Sequence, residues 1–373
     1  MQPLRSLIIE EINRKGRITF AEFMAMALYH PEYGYYNADV ERVGKWGDYY
    51  TSPAVHGIFG ELIAKQLEEM WRLLGEEPFT VVEMGANRGW LCHDIIQCIK
   101  KEYPGFYDRF HYIIVESNPS APAKQRQLLA SLEVTDEKVS WHKYSETGFS
   151  FGGMQGCFFA NEFVDALPVH RLRLRNGLPK ELYVCYNGSG FFETEGEASS
   201  DAARMEFEPL RPYLKEGQSC EVNVGASRWM RHVSERLRKG FVITIDYGDA
   251  ADGIYCGGNS DGTVRCFYRH TVNHDYYERP GGQDITSHVN FTALMNAGEL
   301  VGLKVAGFTK QSHYLIALGI LERLNNSGNN TEAILKAKNL FHPEVMGSAF
   351  KVLVQHKGVE APQLAGLRPL RSI

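Results

Sequence analysis

Residues 79–90 read FTVVEMGANRGW, and the rest of the chain repeats their grammar. A short apolar run ends on the carboxylate of Glu83. A turn holding Gly85 and Gly89 follows, and from Trp90 to Ile99 the apolar residues take helical spacing. The glycines permit a tight turn and close approach of a ligand to the backbone, and the helix start offers unpaired N–H groups to an anion. FHYIIVE (residues 110–116) is a second such strand, with a helix expected from Pro119 to Leu132, and CFFANE (157–162) is a third buried run. Apolar strands alternating with helices predict a parallel sheet covered on both faces. The alternation resumes with FVITIDYG (241–248), a helix from Asn290 to Leu300, LKVAGF (303–308) and FKVLVQ (350–355).

In such sheets ligands collect at the carboxyl ends of the strands. The dinucleotide fingerprint needs glycine two and five positions after Gly85, where Asn87 and Trp90 stand, and no Walker loop is present. Glu116 closes the second strand, where a carboxylate can accept both ribose hydroxyls of a nucleoside. Loop and carboxylate together suit adenosine without a pyrophosphate. Asn161 and Glu162 end the third run, with Asp165 just beyond. These carboxylates can pair with a guanidinium or orient an amine, or they can serve as turn caps; composition leaves the two readings even. The GxSxG match at residues 258–262 lacks the strand and helix of a hydrolase elbow. Cys266, His270 and His274 have no adjacent fourth ligand, so no metal site is expected.

Before this region, Leu4, Leu7, Ile8 and Ile12 mark a helix, and Thr19 with Glu22 has the capping-box pattern ahead of a second. Ser52-Pro53 reads as the opening of a long helix through Ile58, Leu62, Met70 and Trp71. Tyr33, Tyr35, Tyr36, Tyr49 and Tyr50 form an aromatic stretch that can cover core or ligand. VHRLRL and KELYVCYN flank Asn176-Gly177 and predict a hairpin inserted into the sheet domain. The 373 residues carry 40 basic and 45 acidic side chains, a net charge of −5, which excludes an electrostatically driven nucleic-acid binder. Seven scattered cysteines without a CxxC pair fit a reducing compartment. No stretch approaches the roughly 18 apolar residues of a membrane span, and the N-terminus fits neither a signal nor a transit peptide, so a cytoplasmic location is expected.

Several separated segments resemble the MidA-type methyltransferases, the mitochondrial complex I assembly-factor family of S-adenosylmethionine-dependent protein arginine methyltransferases. They are GDYYTSPAVHGIFGELIA, VVEMGANRGWL, ANEFVDALPVHRL, ITIDYG, GTVRCFYRHTVNHDYYERPGGQDITSHVNFTAL and SHYLIALGI, in the family's order. The glycine loop is generic, whereas NEFVDALPVH and GGQDITSHVNF are specific. The resemblance implies a class I (Rossmann-like) methyltransferase fold: a seven-stranded, mostly parallel sheet with its last strand antiparallel, an N-terminal helical cap and pocket-covering segment over residues 1–75, and a core over 76–373 with the hairpin inserted near 169–195. It implies S-adenosyl-L-methionine as cofactor, held by Glu83, Gly85, Asn87, Gly89, Glu116 and Asn161. Glu162 and Asp165, with Asp48 of the covering segment, become the carboxylates expected to act on an arginine, and a complex I subunit becomes the expected protein partner, in the mitochondrial matrix for organellar relatives. The family's loop usually runs E-L-G-P-G-R-G-T-L. Here Ala86 and Asn87 replace the proline and middle glycine, and Trp90 follows. Asn adopts left-handed dihedrals better than most residues. The departure motivates a second reading, a binding or assembly factor with a vestigial pocket; a small-molecule methyltransferase is a third.

Overall fold

The computed structural model describes residues 3–37, 52, 56–145, 147–257, 260–326, 331–342 and 346–370. The chain forms two compact units. One comprises residues 50–163, 229–247 and 295–373; the other comprises 1–49, 164–228 and 248–294.

The first unit is built on seven strands: β1 (Phe79–Met84), β2 (Phe110–Val115), β3 (Val139–His142), β4 (Met154–Asn161), β5 (Leu237–Asp249), β6 (Lys304–Lys310) and β7 (Phe350–Lys357). Their order is β3-β2-β1-β4-β5-β7-β6. The strands from β3 to β5 are mutually parallel, while β7 runs antiparallel to both β5 and β6. This is the expected sheet with its reversed last strand. Both faces are covered, so the strands are apolar nearly throughout: Phe79, Val81, Tyr112, Ile114, Phe159, Ile243 and Val352 share one core. Each fully buried side chain of this size contributes about 1.5–3 kcal/mol.

Two helices of that core, α1 (Ile58–Leu73) and α2 (Trp90–Glu102), pack closely. Gly60 permits the approach, since a Cβ there would lie 2.6 Å from that of Asp94. The long helix of this segment has its N-cap at Gly57; of the opening expected at Ser52-Pro53, Ser52 is itself helical and Pro53 lies outside the described residues. At the Gly57 start the His56 ring accepts the Ile58 N–H through Nδ1 at 3.0 Å, doing the work of a capping side chain. Two further helices matter to the site, α3 (Ala121–Leu129) after β2 and α4 (Gln311–Leu318) after β6.

Register positions the functional edge. Met84 lies beside Val115 on one side and Ala160 on the other, and Asn161 lies beside Ile245. The residues one step beyond Met84, Val115 and Ala160 are Gly85, Glu116 and Asn161, so these three leave the sheet side by side. From β1 the chain moves outward to β2 and β3, then returns to β4 on β1's other flank. That reversal is a topological switch point, the place where open α/β sheets bind ligands.

The second unit holds a five-stranded antiparallel sheet formed by Ile18–Thr19, His170–Arg175, Leu178–Tyr186, Phe191–Gly196 and Ser219–Val222. The predicted turn is present, with Asn176 at φ +52° and Gly177 at +76°, the left-handed pair of a type I′ hairpin. The predicted capping box is also present. Thr19 Oγ1 accepts the Glu22 N–H at 3.1 Å, and Glu22 Oε2 accepts the Thr19 N–H at 2.7 Å. The helices Pro3–Lys15 and Phe20–Tyr29 bury Leu4, Ile8, Phe20 and Phe23 in one cluster with Val169, Val184 and Ile285. Compactness therefore groups residues 1–49 with segments from far along the chain, a different division from 1–75 and 76–373. The apolar faces of the N-terminal helices are completed by those later segments.

Candidate active site

The loop after β1 takes its shape from three left-handed residues: Gly85 at φ +66°, Asn87 at +51° and Gly89 at +83°. Asn87 thus stands in the left-handed region, which Asn tolerates better than most non-glycine residues. Gly89 is needed for space as well, because a Cβ there would come within 3.1 Å of Gln125 Cγ. It caps α2, whose first residue is the half-buried Trp90.

Glu116, just past β2, is the electrostatic centre of this edge. Its Oε1 accepts the N–H groups of Ser117 (2.9 Å) and Asn118 (3.2 Å), and its Oε2 accepts the Asn87 N–H (3.2 Å) and Gln125 Nε2 (3.4 Å). Burial pushes its pKa up, against the pull of those donors. Gln125 of α3 is fully buried and satisfied on every side. It also donates to the Asn87 carbonyl at 2.8 Å and accepts the Trp141 indole N–H at 2.8 Å. Sequence reasoning missed Gln125 and Trp141; a glutamine on the helix face that carries Ala121 and Leu129 was the available signal.

Glu83 lies one layer deeper, 4% exposed, accepting the Tyr112 hydroxyl at 2.8 Å. Burial pushes its carboxyl up to about 8; the Tyr112 bond lowers it and Glu116 raises it. The group is therefore neutral at pH 7 and shapes the loop as a hydrogen-bonding carboxyl. Its proton is held more tightly in the folded than in the unfolded chain. Its stabilising effect is thus full below an unfolded pKa of about 4.5 and is lost as pH rises through about 8. Glu83→Gln keeps an acceptor for Tyr112 but no proton to lose. The expected result is a melting temperature that falls less than wild type's between pH 5 and 8, measured by thermal unfolding across that range.

At the end of β4, Asn161 Nδ2 donates to Glu162 Oε1 at 3.1 Å, while the buried Asn161 Oδ1 has no partner among the described residues. Glu162 sits at φ +51° with its N–H on the Ile245 carbonyl at 2.9 Å. For a non-glycine residue that backbone costs on the order of 1–3 kcal/mol, and such strain concentrates at functional sites. Glu162 Oε1 also accepts the backbone N–H of Ser52 at 3.0 Å. Glu83, Gly85, Asn87, Gly89, Glu116, Asn161 and Glu162 all belong to this unit. Asp165 belongs to the other, buried, with its carbonyl accepting the Ser287 N–H at 3.1 Å. Asp48 lies outside the described residues. Among those described, no helix is long and apolar enough to cross a membrane.

Residues 62–309 match the model of a family described as "Putative S-adenosyl-L-methionine-dependent methyltransferase". The chain belongs to this family. It is 30% identical over 381 residues to the Drosophila melanogaster protein named protein arginine methyltransferase NDUFAF7 homolog, mitochondrial, covering 94% of this chain and 84% of that one. The Homo sapiens protein arginine methyltransferase NDUFAF7 is 26% identical over 401 residues, covering 96% and 85%. A Burkholderia thailandensis protein whose crystal structure holds S-adenosyl-homocysteine superposes with a TM-score of 0.86 at 25% identity, over 97% of this chain and 94% of that one. The protein is thus an S-adenosylmethionine-dependent methyltransferase with a class I fold. Its residues fit that cofactor: a left-handed loop open to backbone approach, a carboxylate at the second strand end, and the orphaned Asn161 Oδ1 as an acceptor at the fourth.

Proposed function

We propose that this methyltransferase acts on an arginine side chain of a protein, a subunit of respiratory complex I, with Glu162 as the carboxylate that meets the guanidinium. The observation that carries the reading is the strained, strand-end placement of Glu162 beside the cofactor loop's sheet edge. The relatives' names support arginine, and the family resemblance supports the partner. In this reading Glu83, Gly85, Asn87, Gly89, Glu116 and Asn161 hold the cofactor, with Glu116 taking the ribose hydroxyls. When bound there, S-adenosylmethionine supplies an electrophilic methyl carbon.

An arginine keeps its proton in water, with a pKa above about 12, so its nitrogen lone pair is delocalised. Glu162 would accept guanidinium N–H groups, localise the positive charge away from the reacting nitrogen and take up the proton released as the N–C bond forms and the methyl–sulfur bond breaks, with S-adenosylhomocysteine as the leaving group. Holding the nucleophile in line is the larger contribution, worth roughly 7–11 kcal/mol in well-oriented systems. Of the other expected carboxylates, Asp165 belongs to the other compact unit and Asp48 lies outside the described residues, so the reading rests on Glu162. Seven free cysteines support a reducing compartment.

The test supplies isotopically labelled S-adenosylmethionine and complex I isolated from cells lacking this protein. Mass spectrometry of the digested complex is expected to show labelled methylarginine. A labelled small metabolite with no labelled protein would overturn the reading.

A further inference from the structure

We propose that Gln311, acting through Ser52, is a positioning residue for the Glu162 carboxylate; the inference rests on the reading of Glu162 as the group that meets the guanidinium. Three segments far apart in sequence converge here within one unit. Gln311 opens α4 and is fully buried, and its Nε2 donates to the Leu340 carbonyl at 2.8 Å. That bond fixes the amide plane and presents Oε1 to the Ser52 hydroxyl, which donates to it over a long 3.4 Å. Ser52 is itself fully buried, and its backbone N–H is the donor on Glu162 Oε1.

Ser52 is thus gripped at two points, by its hydroxyl on Gln311 and by its N–H on Glu162. A carboxylate on a catalytic arm gains orientation from donors that are themselves fixed, and an ionised acceptor makes such bonds stronger than neutral ones. Asn161 Nδ2 supplies the second donor to the same oxygen. Glu162 Oε1 is therefore anchored by two donors, one of which is itself held in place by the buried Gln311.

The test uses Ser52→Ala, Gln311→Leu, the double variant and Ser52→Thr in the full chain. Carbon-13 NMR of glutamate-labelled protein reads the Glu162 titration without turnover, and methyl transfer to complex I reads kcat. Loosening the N–H donor raises the pH at which Glu162 titrates in Ser52→Ala and Gln311→Leu. It lowers kcat by about three- to tenfold, tenfold being the ceiling set by complete loss of the charge-assisted bond from the Ser52 N–H, with the S-adenosylmethionine Kd within about twofold. The double variant is expected to lose no more than either single one, because both cut one chain of contacts. Ser52→Thr, which keeps the hydroxyl, restores the titration and the rate. Wild-type titration and kcat in both single variants, whatever their melting temperatures, would overturn the proposal. Full transfer by Glu162→Gln would instead remove the catalytic reading of Glu162, and the NMR titration separates the two failures.

Discussion

Glu162→Gln is expected to lower kcat for methyl transfer by about 10³-fold, within the range that a positioned acid–base group supplies, while S-adenosylmethionine binding by calorimetry changes no more than a few-fold. Glutamine is isosteric and keeps an oxygen for the Ser52 N–H and the Asn161 amide, so those two bonds survive. The negative charge that localises the guanidinium's charge does not. Cofactor binding is spared in this reading because it rests on Glu116 and the left-handed loop. A variant that bound cofactor poorly and turned over normally at saturation would reverse the assignment and make Glu162 a cofactor ligand.

The second large effect is on folding. Gly156→Ala is expected to cost about 4 kcal/mol or more, the range reserved for severe packing conflicts, and to leave little soluble folded protein. Gly156 lies within β4 at φ +147°, paired with Thr80 of β1 and Gly240 of β5. A Cβ there would fall 2.0 Å from the Thr80 carbonyl oxygen, and one on Gly240 would fall 1.9 Å from that of Gly156. Neither obstacle is a side-chain end that can swing aside; both are ladder backbone at the centre of a parallel sheet. Gly105→Ala is the control: nothing lies within 4 Å of the added carbon, and the site is a short helix where alanine is favoured. Thermal unfolding of the two variants should separate sharply. Equal melting temperatures would mean that β4 and β1 can spread without loss.

The sequence made the centre of the core sheet legible because its strands β1, β2 and β4 are apolar runs ending in a residue of another kind: Gly85, Glu116, or Asn161 with Glu162. The edge strand β3, VSWH, is short and half polar and does not read as a strand. Local chemistry was equally plain where a few residues act on each other, as in the Thr19/Glu22 box and the Asn176-Gly177 turn. What did not show was interaction at a distance. Phe191–Gly196 is polar enough to pass for loop, and it becomes a strand only because Leu178–Tyr186 offers it an edge. Ser52 looked like a helix cap, and its binding partners lie 110 and 259 residues away. Gln125 and Gln311 read as ordinary surface side chains in the sequence, and only the fold shows that their amides, and the Trp141 indole, are committed to hydrogen bonds. Glu162 and Asp165, neighbours in one motif, fall in different compact units, which spacing alone does not disclose.

The four donors on Glu116 have a thermodynamic consequence. A carboxylate offers about four lone-pair positions, and here each is already taken by an N–H. In the proposed reading, a ribose diol arriving at this carboxylate would enter an exchange, most readily against the bonds on Oε2, from Asn87 at 3.2 Å and Gln125 at 3.4 Å, the latter the longest of the four. The count of hydrogen bonds to Glu116 then stays level, so the diol contributes selectivity for its shape more than tightness. In that reading the affinity would come from the nucleobase and the amino-acid arm. The Asn87 N–H and Gln125 amide belong to the loop and to α3, so in that reading filling the ribose position would loosen one tether of the same loop that forms the site.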